Sequence, residues 1–417
     1  MQDRSLSPSR QHLVAASILI LGLLSGSSAL AESGKPSQAE AFGFPFFNVP
    51  WLDRTITVRC DLGQSPSYVL EWLARPGDRL RLAGVCDERI VVTQDRLTLE
   101  GIDGGAIDGS DLDLGMGEFN PLVMIDGALG VELRNLSIRN SPAEGVIVRN
   151  NASATLSNLT VTGNSGIGVL FDSARGHIDT MSATGNLEGV DSINNSSVVF
   201  TGDNDLSGNA FLGLGAAGRS TIELRGAQVN ASGNGAIGTV IQGSTLSIFN
   251  FAVSQGSGLT ADNNGLVGIV VTTGGAIDIT APLPLHNSGI NVVSASGNAG
   301  TGMLVTGQSR IESPFGAAMF KIENNPIGLQ FDTNSSALVV GGMQIFGNTD
   351  TGLLADGAGV LTIVSPSADP TQNPSAITDN GTDVSLSFGS RATFGAAVGS
   401  IVCDPTALAR GSASCPQ

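Results

Sequence analysis

Positive charge is scarce in this sequence. Lysine occurs only at Lys35 and Lys321, and the 20 lysines and arginines are outnumbered by 37 aspartates and glutamates, which gives a formal net charge of −17. A protein that binds nucleic acid needs a basic patch to displace counterions from phosphates, and the sequence offers none. Nucleic acid is therefore not an expected partner, and acidic polysaccharides are disfavoured unless a divalent cation bridges the charges.

Cysteine and histidine are also rare. The three histidines, His12, His177 and His286, are far apart, and the four cysteines form two pairs at opposite ends of the chain, so a zinc site is not expected. In an exported protein, local cysteine pairs are typical of structural disulfides. We therefore predict two disulfide bonds that pin the two ends of the fold, namely Cys60 with Cys86 and Cys403 with Cys415.

Long apolar runs are absent apart from one near the start. Arg4 and Arg10 precede the apolar run 13–24, and the small residues that end at Ala31 follow it, which is the pattern of a cleaved signal peptide. We predict a signal peptide over 1–31 with cleavage near Ala31, a flexible leader over 32–54, and no membrane span. The expected location is secreted or periplasmic.

Glycine, by contrast, is abundant, with 56 residues, and it belongs to a repeat. Each unit has an asparagine in a turn, usually a glycine three to five residues later, and then an apolar run. Successive asparagines are about 23 residues apart, with occasional insertions, which is typical of a solenoid. Stacked amides along one turn explain these residues better than catalysis or glycosylation. The anchors are Asn140, Asn164, Asn186, Asn209, Asn234, Asn264, Asn298, Asn325, Asn348 and Asn380.

The run after each glycine alternates like a strand. The first and third positions, for example Val169 and Phe171, are apolar in nearly every unit, while the fourth is mostly polar. We predict an all-β fold: a single-stranded right-handed parallel β-helix, or solenoid, with a short N-terminal capping helix that begins at Ser65 and Pro66. The cap and first coils should occupy 55–100, the repeats 101–400, and a disulfide-closed C-terminal cap 401–417.

The segments 60–65, 75–78, 84–86 and 96–99 resemble the leader of exported right-handed β-helix repeat proteins of the pectate-lyase-like superfamily, and the resemblance covers about residues 55 to 417. It implies a fold and an association with polymers, since the superfamily includes polysaccharide lyases, hydrolases, epimerases, tailspikes and adhesins. The enzymes' motifs do not carry over. Asn348-Thr349-Asp350 matches one hydrolase motif, but here it contains a coil anchor.

Stacking predicts one pair of neighbouring carboxylates. Asp332 and Asp356 each lie four residues after their repeat glycine, so they should be about 4.8 Å apart on adjacent coils. Two such carboxylates could serve as the acid and the nucleophile of a retaining glycosidase, or could hold a cation together. The alternative is a ladder of solvated aspartates.

Two further acidic groups are candidates. Arg149 and Asp172, with Glu188 and Asp191 on the next coil, could form a lyase base with a calcium cradle, or a surface ion-pair network. A second cluster could bind calcium, although a solvated loop explains it equally well, and no other cofactor is expected. Its members are Asp103, Asp108, Asp111, Asp113 and Glu118.

An aliphatic stripe occupies the second, nominally outward position after the glycine. It could be covered by the insertions 281–290 and 312–320, or it could contact a partner protein or a second copy of the chain. Aromatic platforms for sugars are missing from the coils, because Trp51, Tyr68 and Trp72 all precede them. The stripe consists of Ile147, Leu170, Val240, Val270, Leu304 and Leu354.

Two functions are compatible with these patterns. The first is a non-catalytic envelope or extracellular rod that binds a polysaccharide or a protein through its coil face. The second is a polysaccharide lyase or glycoside hydrolase with its site on the outer coil face, for which Arg149, Asp172, Asp191, Asp332 and Asp356 are the candidate catalytic residues.

Overall fold

In the computed structural model, the described residues are 54–113, 120–249, 256–280, 290–314, 318–357, 359–364 and 375–415. Within the unit Asp53–Gln417 they form a right-handed parallel β-helix, as predicted, in which every strand pair is parallel and joins one coil to the next. Each full coil contributes strands to three faces, here called face 1, face 2 and face 3.

Face 1 is a separate sheet of 13 strands, one per coil. In the order in which they pair, the strands are β3 (Ile90–Val92), β5 (Val123–Asp126), β8 (Val146–Arg149), β11 (Ile167–Asp172), β14 (Glu188–Ile193), β16 (Leu212–Ala217), β18 (Ile237–Gln242), β21 (Val267–Thr272), β24 (Thr301–Val305), β27 (Ile327–Asp332), β30 (Thr351–Asp356), β33 (Thr382–Ser387) and β36 (Ile401–Cys403).

Faces 2 and 3 belong to one sheet of 24 strands, because four long strands run through both. These are β2 (Arg79–Cys86), β4 (Thr98–Asp108), β15 (Ser197–Asp205) and β17 (Thr221–Asn230).

The remaining strands of this sheet each belong to one face. Face 2 adds β1 (Thr55–Arg59), β6 (Val131–Arg134), β9 (Ser153–Ser157), β12 (Arg175–Asp179), β19 (Thr245–Phe249), β22 (Ala276–Thr280), β25 (Arg310–Ser313), β28 (Ser336–Val340), β31 (Val360–Val364), β34 (Arg391–Gly395) and β37 (Leu408–Gly411). Face 3 adds β7 (Ser137–Arg139), β10 (Thr160–Thr162), β13 (Ser182–Thr184), β20 (Gly258–Thr260), β23 (Asn291–Ser294), β26 (Ala318–Glu323), β29 (Gly342–Phe346), β32 (Ala376–Thr378) and β35 (Ala397–Val398).

The predicted inward positions form the core. All ten residues at the first position after the repeat glycine and all ten at the third are at most 2 % exposed. Val169, Val190 and Leu214 pair directly with one another on successive coils. Equal register therefore means vertical adjacency, as the repeat predicts.

The predicted ladder of stacked asparagines is confirmed, except at Asn140. From Asn164 to Asn348, each buried asparagine donates its backbone N–H to Oδ1 of the next anchor, at 2.9–3.1 Å. Asn140 is out of step by one residue, because it is Ser141 whose N–H donates to Asn164. Asn140 instead adopts a positive φ of 57° and donates to Asp108. Asn348 belongs to the ladder, so its place in the sequence Asn348-Thr349-Asp350, which matches a hydrolase motif, is explained by the coil repeat.

The capping helix α1 spans Pro66–Trp72, with Ser65 as its N-cap accepting from the Tyr68 N–H, as predicted. Only one side of the helix contacts the core. Val69 and Leu70 are buried, whereas Tyr68 and Trp72 are exposed by 59 % and 67 %. A helix of two turns can turn only one narrow side toward the core, so the aromatic residues on its other side remain in solvent.

Both predicted disulfides are present, Cys60–Cys86 and Cys403–Cys415. The C-terminal one joins β36 to the segment after β37, and these two strands add a last coil to faces 1 and 2. No helix within the described ranges is long and apolar enough to cross a membrane.

The aliphatic stripe on face 1 is buried. Ile147, Leu170, Val240, Val270 and Leu304 are at most 5 % exposed, so this part of the stripe is not a free contact surface. Of the two insertions suggested as its cover, 281–290 falls almost entirely on 281–289, which lie outside the described residues. The described part of 312–320 belongs mostly to β25 on face 2 and β26 on face 3, so the suggestion that it covers the stripe was wrong for these residues.

Candidate functional site

A groove of about 380 Å³ lies on face 3. Its lining comes from five successive coils, between Asn158 and Thr260, so at about 4.8 Å per coil it is roughly 19 Å long. This volume falls in the range of ligand-binding clefts. Because the groove crosses several coils, face 3 is the leading candidate site.

Hydrogen-bonding side chains line the groove in a vertical column. Thr160, Ser182, Asp205, Asn230 and Thr260 are in-register partners on β10, β13, β15, β17 and β20. Because alternate residues of a strand point to opposite sides, all five face outward while their neighbours fill the core. The groove thus offers one hydroxyl, amide or carboxylate per coil.

A tight turn places the carboxylates of β15. Gly202 has φ of +65°, and a Cβ there would lie 2.5 Å from Oγ1 of Thr180, so only glycine fits this position. The buried Asn204 fixes the turn from inside, since its Nδ2 donates to the Thr201 carbonyl at 2.8 Å and its Oδ1 accepts from the Met181 N–H at 3.0 Å. Asp203 and Asp205, on either side of Asn204, therefore both face the groove.

The two aspartates of the groove differ in their partners. Oδ1 of Asp205 accepts hydrogen bonds from Nδ2 of Asn230 at 3.0 Å and from the Ser207 N–H at 3.2 Å. The side chain of Asp203 is exposed and makes no hydrogen bond or ion pair with any residue in the described part of the chain. Two residues along a strand span roughly 7 Å, so the two carboxylates can address different atoms of one ligand.

The chemical character of the groove is polar and acidic. Among the described residues, its lining includes these two carboxylates but no arginine, lysine or aromatic side chain. Leu159, Met181 and Val229 contribute small apolar areas to the floor. The lining therefore suits a ligand that offers several hydrogen-bonding groups, such as hydroxyls, because hydrogen bonds are the main interaction that the side chains can make.

Asp332 and Asp356 are register partners on β27 and β30, so the predicted vertical neighbours are confirmed. Burial raises the pKa of Asp332, and the charge of Asp356 raises it further. Asp356 accepts a hydrogen bond from Oγ of Ser387 at 2.9 Å. The pair lies on the outer side of face 1, away from the groove.

Arg149 and Asp172 are also register partners, but Arg149 forms its ion pair with Asp126 on the preceding coil, at 2.9 Å. Burial opposes the charge of Asp126, yet the hydrogen bonds from Arg149 and Asn150 hold its pKa below the usual value. Asp172 instead accepts from Nδ2 of Asn194 at 2.8 Å. These contacts are those of an ion-pair network on face 1.

Glu188 and Asp191 lie within the apolar stripe of face 1. Asp191 is only 3 % exposed, and its carboxylate occupies the space above Gly215, where a Cβ would overlap Oδ1. Burial, together with the charge and hydrogen bond of Asp191, raises the pKa of Glu188 to about 9, and burial also raises that of Asp191. Glu188 therefore keeps a proton at neutral pH, and it can share that proton with Asp191 in a hydrogen bond.

The suggested calcium loop is only partly described. Asp108 is 7 % exposed and bonds to Nε of Arg139 at 2.7 Å. Burial opposes its charge, but Arg139, Ser110 and Asn140 lower its pKa to about 2. Asp111 is exposed, and Glu118 lies outside the described residues. Across the residues that the structure describes, no group of three or more acidic, histidine or cysteine side chains could hold a metal ion. Calcium binding stays a prediction.

Sequence reasoning missed the groove because it followed only the strand after the repeat glycine, which builds face 1. The signal was present in Gly202-Asp203-Asn204-Asp205, where two polar residues flank an asparagine after a glycine turn. Aligning this strand with Thr160 and Ser182 on the preceding coils would have revealed the polar column.

No protein-family model matches the chain, and no curated protein matches it significantly in sequence. Among solved structures, the chain is similar to pectate lyase Pel9A, with 11 % identity and a TM-score of 0.43, over 66 % of this chain and 80 % of that one. It is also similar to the A-module of the Azotobacter vinelandii mannuronan C-5 epimerase AlgE6, with 14 % identity and a TM-score of 0.42, over 88 % and 92 %.

A third similar structure is an alginate lyase from Paenibacillus sp., with 14 % identity and a TM-score of 0.39, over 73 % of this chain and 99 % of that one. The architecture of this chain rests on its own strand register, and its function has to be argued from its own groove.

Proposed function

We propose that this chain is an exported protein that binds a polysaccharide across its coils, in the groove of face 3. The observation that carries the proposal is the column from Thr160 to Thr260, which places one outward hydrogen-bonding group on each of five coils inside a groove of about 380 Å³. A polymer with a regular repeat can satisfy a regular column of partners.

The lining suits a sugar chain chemically. Hydroxyl and amide side chains both donate and accept hydrogen bonds, as sugar hydroxyls do, and the carboxylates accept strong bonds from them. The spacing of about 4.8 Å between coils is close to the length of one pyranose residue in an extended chain. The two disulfides fit the oxidising compartment in which such polymers occur.

Binding is tested by filling the groove. Ser182 is a half-buried, outward residue at its centre, so Ser182→Tyr should abolish retention of the protein by polysaccharide gels in affinity electrophoresis. Ser336→Tyr is the matched control, since Ser336 is a half-buried strand residue of face 2 on a distant coil. Equal retention of the two variants, or no retention of the wild type by any polysaccharide, would reject the proposal.

Hydrolysis is a second candidate function, favoured by the Asp203 and Asp205 pair. Their Cα atoms lie roughly 7 Å apart along the strand. This spacing is compatible with the separation of the carboxyl groups in an inverting glycosidase, in which one carboxyl group protonates the leaving oxygen and the other activates water. New reducing ends that appear with the wild type and disappear with Asp203→Asn would support it. A bound polysaccharide that stays intact would leave binding as the function.

A further inference from the structure

We infer that the groove selects neutral polysaccharides over polyuronates, and that Asp203 is the residue that sets this selectivity. The inference rests on the proposed function and adds the class of ligand. It follows from the charges that face a bound chain and from the different partners of the two aspartates.

A uronate chain would meet only negative charge in the groove. Asp203 and Asp205 are the only charged residues in that part of its lining which the structure describes. A carboxylate on each sugar would be repelled over the few ångströms that separate ligand from wall, whereas a neutral hydroxyl would donate to the same oxygens. The net charge of −17 adds a repulsion of the same sign at longer range.

The cationic side chains on the described strands of face 3, beyond the groove, do not cancel this charge. Arg139 is in register with Thr162 just before the groove, but Asp108 binds it at 2.7 Å. Lys321 lies two coils past Thr260, and the charge of Glu323 on the same strand opposes it. A polyuronate in the groove therefore meets no uncompensated positive charge from the described strands of face 3.

Asp203 is the better determinant of the two aspartates. Asp205 is engaged by Asn230 and Ser207, so part of its charge is already shared with protein donors. The carboxylate of Asp203 is exposed and bonds to none of the described residues, which leaves its charge to act on a ligand. Because it supports no neighbour, its substitution should alter the charge of the groove without altering the fold.

The test compares a linear neutral glucan with polygalacturonate of matched length, by isothermal titration calorimetry at low salt with EDTA. The wild type should bind the glucan more tightly than the polyuronate. Asp203→Lys should shift the ratio of the two affinities toward the polyuronate by about tenfold or more. Asp111→Lys is the matched control, because Asp111 is exposed, lies outside the groove and gives the same change in net charge.

Each outcome separates the inference from the proposed function. The inference would be overturned, while polysaccharide binding stands, if the wild type binds polygalacturonate more tightly than the glucan in EDTA. It would also be overturned if Asp203→Lys shifts the ratio of the two affinities no more than Asp111→Lys does. Polyuronate binding that needs calcium and is lost in Asp203→Asn would also overturn it, since Asp203 would then be a cation ligand. Binding of neither polymer would reject the proposed function itself.

Discussion

One stretch of the β-helix carries two acidic pairs, Glu188 with Asp191 on β14 and Asp203 with Asp205 on β15. The first pair lies among buried aliphatic residues and keeps a proton at neutral pH, while the second faces a groove lined by hydroxyls and amides. Both pairs consist of acidic residues that lie two or three positions apart on one strand. The side chains one coil away therefore decide whether a carboxyl group is a buried acid or an exposed ligand-binding group.

The largest expected difference between the pairs concerns pH. The pKa of Glu188 is about 9 in the folded protein and about 4.5 when unfolded, so between these values the folded state holds a proton that the unfolded state releases. The free energy of unfolding should fall as pH rises through this window, by up to about 1.4 kcal/mol per pH unit for one proton. Urea denaturation from pH 5 to 8 measures this slope.

The variant Glu188→Gln/Asp191→Asn should have a much flatter dependence on pH, because both titrating groups are gone. Asp203→Asn is the control, since it removes an exposed carboxylate from the neighbouring strand and should keep the wild-type slope. A wild-type slope that survives in the double variant would show that this pair does not keep a buried proton.

The next largest effect tests the space that Asp191 occupies. Gly215→Ala places a Cβ where Oδ1 of Asp191 lies, so it should lower the free energy of unfolding by about 2 kcal/mol, as overpacking does. Adding Asp191→Ala to it should restore most of this loss, because the clash is removed. If the destabilisation of the double variant in thermal melting equals the sum of the two single variants, Asp191 does not contact position 215.

A smaller effect is expected from the support of Asp205. Asn230→Ala removes the amide that holds this carboxylate and one member of the polar column, so we expect polysaccharide binding to weaken severalfold and stability to fall by about 1 kcal/mol. Asn194→Ala is the matched control, since it removes an equivalent amide bond to Asp172 on face 1. Equal affinities of the two variants in titration calorimetry would contradict the assignment of the site.

The smallest effect concerns Asp203. Because this exposed side chain has no partner among the described residues, Asp203→Asn should change the free energy of unfolding by no more than about 0.5 kcal/mol. Chemical denaturation beside the wild type measures it. A loss above 1 kcal/mol would mean that Asp203 has a structural role.

The sequence was sufficient for the fold but not for the site. Strand alternation and the asparagine spacing predicted the inward residues, because a solenoid repeats the same local geometry in each coil. The vertical pairs Asp332 with Asp356 and Arg149 with Asp172 followed from register alone. Two details did not follow: the offset of Asn140 by one residue, and the ion pair of Arg149 with Asp126, which depends on side-chain conformation.

The groove was harder to predict for a different reason. Its strands are short or are continuations of the long strands β15 and β17, and a change of register after Phe200 hides the alignment of Asp205 with Asn230. A groove also depends on the relative height of its walls, which no local pattern records. The burial of Asp191 was missed likewise, since it depends on a glycine in the next coil.

The most direct test of the account is a crystal structure of the protein with a short, neutral glucan oligosaccharide. We predict that the sugar chain crosses the coils on face 3, with hydroxyls bonded to Ser182, Asp205 and Asn230 and with Asp203 beside it. A sugar bound instead on face 1, beside Arg149 and Asp172 or beside Asp332 and Asp356, would contradict the account.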